Sequence, residues 1–94
     1  MADETLAIRL RRREQVLSRS LPDRVVLLDP LSGACFELNR VGAELWSRLD
    51  GRGTLEDLCR ELQARFVVAP EDLRADVRRF GRELESSGLA ERVS

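Results

Sequence analysis

The chain has no histidine and no lysine among its 94 residues. Without histidine it lacks the commonest general base and the commonest metal ligand. All 16 basic residues are arginine, a bias that carries no mechanism by itself. Cysteine is scarce: Cys35 and Cys59 have no CxxC spacing and read as reduced, structural thiols. An excess of one charge is missing too, because 16 basic and 17 acidic residues leave a net −1, and no overall field favours nucleic acid. No apolar run approaches the length of a membrane span, and the N-terminus has no hydrophobic signal stretch. The expectation is a cytoplasmic chain with no membrane partner. No nucleophile–base pair, phosphate loop or metal-ligand spacing stands out among the residues. The chain therefore reads as a non-enzyme with no cofactor.

What is present is an ordinary globular balance, 43% hydrophobic and 35% charged. The length suits one domain with one modest core. Patterning runs from Val16 to Leu89. Before it, Leu6, Ile8 and Leu10 are interleaved with Arg9, Arg11, Arg12 and Arg13. That stretch fits a frayed edge strand or a flexible tail, and the division adopted is a tail over 1–13 and a folded domain over 14–92.

Strand signals come first. Gln15 to Arg19 is a short extended candidate, followed by the turn Ser20-Leu21-Pro22-Asp23. Arg24 to Asp29 is a β-branched, apolar run of strand length. Asp29-Pro30-Leu31-Ser32-Gly33 makes the next turn, and Ala34 to Leu38 returns as a third strand. Helices fill the remainder. Asn39 suits an N-cap, with Val41, Leu45 and Leu49 on one helical face flanked by Trp46. Gly51-Arg52-Gly53 breaks that helix, and Thr54-Leu55-Glu56-Asp57 resembles a capping box. Leu55, Leu58, Cys59, Leu62 and Phe66 mark the apolar face of the second helix. Pro70 opens the third, with Glu71 and Asp72 in its positive first turn. Leu73, Val77, Phe80 and Leu84 form its buried stripe, and Gly88 sits at its C′ position. The order is α+β: a three-stranded antiparallel sheet followed by three helices, close to a winged helix-turn-helix.

The patterns VVLLDPLSGACFELNRVGAELW, LDGRGTLEDL and DVRRF…LESSGL occur together over about Val16 to Leu89. In that combination the chain resembles the PqqD-like family, known as RiPP recognition elements. The resemblance implies a domain that binds the leader segment of a ribosomally synthesised precursor peptide. The leader would add as an antiparallel strand to the third strand and lie in a groove against the third helix. The domain would present it to a modifying enzyme (a radical SAM enzyme, a peptidase or a cyclase) and do no chemistry itself. PQQ and lasso peptide assembly both employ domains of this shape. The implied contacts are Ala34, Cys35, Phe36, Glu37 and Leu38 on the strand, and Arg74, Val77, Arg78, Gly81 and Arg82 along helix 71–87.

The residues support such use. The third strand has no Pro and no Lys, so its edge is poorly defended against pairing with another chain. By alternation, Ala34, Phe36 and Leu38 share the core-directed face, and Cys35 and Glu37 share the other. Arg74, Arg78 and Arg82 recur at four-residue spacing, with Arg79 alongside. They fit either a solvated face paired with Glu71, Glu83 and Glu85 or a clamp for acidic leader residues. Trp46 reads as core. The rival is a winged-helix transcriptional regulator with the same arginines on DNA. Against it stand Glu71, Asp72 and Asp76 at the start of the third helix, where DNA readers place basic residues. A structural subunit docking a protein on the same edge is a third reading.

Overall fold

The computed structural model describes residues 4–93. The expected meander is present: strands β2 (Leu17–Ser20), β3 (Val25–Leu28) and β4 (Cys35–Leu38) pair antiparallel in the order β2-β3-β4. Helices α1 (Arg40–Ser47), α2 (Leu55–Gln63) and α3 (Pro70–Ser86) follow. The sheet buries Leu27 and Leu38 completely on its inner face, and the helices cover them with Leu45, Leu55, Leu62, Val77 and Leu84.

Local chemistry sets the element ends. The Leu21 N–H donates to the Arg24 carbonyl at 2.7 Å and closes the first hairpin. In the second, Asp29 accepts the Leu31 N–H at 2.9 Å, which holds its carboxyl below the ordinary value of 3.8. Asn39 caps α1 by accepting the Gly42 N–H at 2.9 Å. Thr54 and Asp57 make the reciprocal capping box at the start of α2, at 3.0 and 3.2 Å. Pro70 occupies the first turn of α3, whose end carries two reversed bonds. The Leu89 N–H reaches the Leu84 carbonyl at 2.9 Å, and the Gly88 N–H reaches the Glu85 carbonyl at 3.1 Å. Gly88 has φ +74°, so this is a Schellman closure that a side chain would strain.

The N-terminal segment departs from expectation. Residues 1–3 of the supposed tail lie outside the described residues, but the rest is folded. A short 3-10 turn (Glu4–Ala7) leads into strand β1 (Arg9–Arg12), which pairs antiparallel with a C-terminal strand β5 (Ala90–Val93). Leu6 and Leu10 are buried to 2% and 1% exposure. The arginines on either side of Leu10 point outward, and Arg11 joins Glu91 of β5 in an ion pair. The other side of β1 is also occupied: the Arg12 N–H donates to the Leu49 carbonyl and the Gly51 N–H to the Leu10 carbonyl, both at 3.1 Å. Just before β1, the Ile8 carbonyl accepts the first N–H of α2, from Leu55, at 2.9 Å. The boundary at residue 13 is therefore corrected. The segment belongs to the core because its partners supply both the apolar contacts and the backbone bonds that the residues lack alone.

Candidate functional site

Strand β4 ends the sheet order, so one of its edges pairs with β3 and the other faces outward. Which residues present their backbone there follows from the ladder. The Leu21 to Arg24 bond directs Arg24, and by alternation Val26 and Leu28, toward β2. The Asp29 N–H instead donates to the Ala34 carbonyl at 2.9 Å, which directs Val25, Leu27 and Asp29 toward β4. Their partners Leu38, Phe36 and Ala34 therefore point back at β3. Cys35 and Glu37 remain, each turning one N–H and one C=O to the free edge.

The side chains alternate as expected. Leu38 is fully buried, Phe36 is half-buried against the core, and Cys35 and Glu37 are exposed. A cleft of about 400 Å³ lies along this edge. Phe36, Glu37, Leu38 and Asn39 form one wall, and Arg79, Phe80 and Glu83 of α3 form the other. Asp23 and Arg24 from the first hairpin close one end. Gly42 of α1 sits under the floor: a Cβ there would meet Phe80 Cζ at 3.0 Å and Leu38 Cδ2 at 3.1 Å. The missing side chain lets the strand, α1 and α3 converge behind the cleft.

The lining is amphipathic rather than basic. Asp23, Glu37 and Glu83 stand against Arg24 and Arg79. Arg24 approaches Glu37 at 3.6 Å and Asp23 at 3.8 Å. Arg79 pairs with Asp76 at 3.4 Å and lies 4.9 Å over the Phe80 ring, a cation–π contact that fixes the ring's outer surface.

Of the expected contacts, Cys35, Phe36, Glu37 and Leu38 make up β4 and Ala34 immediately precedes it, but only Cys35 and Glu37 turn their backbone groups to the open edge. Those on α3 do not join them. Arg74 forms an ion pair with Glu56 of α2. Val77 is fully buried, out of reach of any guest. Arg78 and Arg74 lie close enough to Cys59 of α2 to act on its charge. Burial pushes that thiol up, Glu56 adds to the rise, and the two arginines pull it partly back. Gly81 packs against α2 and β1, where a Cβ would meet Leu55 Cδ1 at 2.7 Å. Arg82 is exposed one turn further along the same stripe. The cleft-facing flank is the other side of the buried stripe, carried by Arg79, Phe80 and Glu83. Sequence periodicity marked Phe80 as core and set Arg79 beside the stripe, but offered no sign of which flank meets the sheet.

Among the described residues, no group of three or more His, Cys, Asp or Glu residues could hold a metal ion. No helix among them is long and apolar enough to cross a membrane.

Comparison with known proteins places these features in context. The family described as coenzyme PQQ synthesis protein D, PqqD, matches residues 24–90. The structure is similar to that of TbiB1 in complex with the TbiA(beta) leader peptide, with 30% identity and a TM-score of 0.73, over 89% of this chain and 98% of that one. It is also similar to lasso peptide synthetase B1 complexed with the leader peptide, with 26% identity and a TM-score of 0.70, over 86% of this chain and 95% of that one. No curated protein matches.

Proposed function

The chain belongs to the PqqD family, and from that premise we propose that it binds the leader segment of a ribosomally made precursor peptide as an added strand on β4. The observation that carries the reading is the free edge of β4, with Cys35 and Glu37 turned outward beside a cleft of about 400 Å³. A guest strand would bond to four main-chain groups, one N–H and one C=O on each of those two residues. Such bonds give affinity without reading sequence, so specificity falls to side chains. One guest side chain in two points toward the helices, and the cleft beside Phe36 and Phe80 suits an apolar one. The solved relatives are complexes with leader peptides, which supports the same class of guest here.

The domain holds the leader and presents the rest of the precursor to a modifying enzyme: a radical SAM enzyme, a peptidase or a cyclase. It contributes no catalytic group. No finding favours the DNA-binding alternative; of its arginines, Arg74 pairs with Glu56 and Arg79 with Asp76. The guest to try is to be sought among the neighbouring genes, as a short precursor reading frame next to that of a modifying enzyme. Its leader, fluorescently labelled, should raise its anisotropy saturably on titration with the protein, while random-sequence duplex DNA at low salt should not shift. Binding of the duplex without the leader would overturn the reading.

A further inference from the structure

The outer face of the sheet, turned away from the helices, is arranged in rows. Pairing sets Leu17 against Leu28 and Leu28 against Cys35. Leu17 and Leu28 are 59% and 41% exposed, and exposed Cys35 ends the row at the β4 edge. The adjacent row runs Arg19, Val26, Glu37. It ends on the Glu37 side chain, 64% exposed at the same edge. Two rows thus reach the open edge side by side, one with an apolar end and one with an anionic end.

Resting on the reading of β4 as a peptide-binding edge, we infer that these row ends select the guest. A cationic side chain is chosen beside Glu37 and an apolar one beside Cys35, two guest positions apart. Directly opposed residues on neighbouring strands bring their Cβ atoms to about 5 Å, where opposite charges attract and apolar groups share buried surface. Glu37 meets Arg24 only at 3.6 Å and in solvent, and a carboxylate has lone pairs for a second donor. A cation there also extends a row that holds no other charge next to Glu37, since Val26 is its inner neighbour. An apolar side chain beside Cys35 lengthens the run Leu17, Leu28, Cys35 and covers part of it. The guest residue between the two points the opposite way, into the cleft, so the outer face adds discrimination that the cleft does not supply.

The test is selection of randomised displayed decapeptides on four proteins: the wild type, Glu37→Arg, Glu37→Gln, and Phe36→Asp, which places a charge in the cleft. Wild type should enrich peptides with Arg or Lys two positions from an apolar residue, in one consistent order that also reports strand direction. Glu37→Arg, at an exposed position, should enrich Asp or Glu there instead. It should also weaken the wild-type peptides by about threefold to tenfold. Glu37→Gln should lose the charge preference without gaining the opposite one. Enrichment with no charge preference, or with the same preference on wild type and Glu37→Arg, overturns the row inference and leaves the edge reading standing. Failure of wild type to enrich any peptide above a folded Phe36→Asp protein overturns the edge reading and the inference with it.

Discussion

Strands β1 and β4 are both four residues long, yet one is closed and the other open. Strand β1 has β5 along one side and the Leu49–Gly51 turn along the other, with Leu10 sealed beneath. Strand β4 has β3 along one side and a cleft along the other. The difference lies in what surrounds the backbone. Closure of β1 ties β1 and β5 to the turn between α1 and α2 and makes a frame. The gap at β4 leaves main-chain groups for a guest, next to side chains that hold their places without one. Stability should therefore concentrate at β1 and recognition at β4.

Changes at each strand can break that division. Leu10→Ala removes a fully enclosed side chain and should cost about 2–5 kcal/mol in urea unfolding. A loss within error of zero would return residues 9–12 to a tail. Phe36→Asp should weaken leader binding by about tenfold or more, since a carboxylate would face an apolar guest group. Circular dichroism and the urea midpoint must show the variant folded; a folded variant with unchanged affinity removes Phe36 from the cleft's working surface. The two flanks of α3 should separate in the same way. Arg79→Glu should lower leader affinity by about twofold to fivefold, whereas Arg74→Ala should leave affinity alone and cost about 0–1 kcal/mol of stability. Equal effects on binding would mean that the guest reaches around the helix.

The smallest effect is a pH dependence of the closed side. The Thr54 N–H bond, and then the Thr54 hydroxyl, hold the Asp57 carboxyl below its ordinary 3.8, with Arg60 and Arg9 of β1 adding to the fall. The Arg11 bond holds Glu91 of β5 below its ordinary 4.5. A carboxyl lowered by folding stabilises at pH above its unfolded value, and that contribution fades as pH drops through the folded value. The urea midpoint should accordingly begin to fall near pH 4.5 and continue to fall below 3.8. Glu91→Gln should flatten the upper part of that decline. An unchanged profile in Glu91→Gln would remove the Arg11–Glu91 pair from the frame's energetics.

The sequence disclosed what is local. Asn39, Thr54 with Asp57, Pro70 and Gly88 each act within a turn or two of themselves, and each stands where the residues indicated. The β4 edge was legible for the same reason, because two hairpin turns in succession leave the last strand outermost. Pairing of β1 with β5 was not legible. Arg11 and Glu91 are 80 positions apart, and neither four-residue segment carries a pattern that names the other. The flank of α3 was hidden differently. Its buried stripe has arginines on both sides, and periodicity is blind to whether Arg74 or Arg79 faces the sheet. That choice is made by packing: Gly81 admits Leu55 on one side, and Gly42 admits Phe80 on the other.

The most direct measurement is residue-resolved amide exchange by NMR with and without the bound leader peptide. The amides of Cys35 and Glu37 should exchange freely in the unbound protein and become protected on binding, while those of Arg9–Arg12 stay unchanged. Saturable binding that leaves Cys35 and Glu37 unprotected would contradict strand addition on β4.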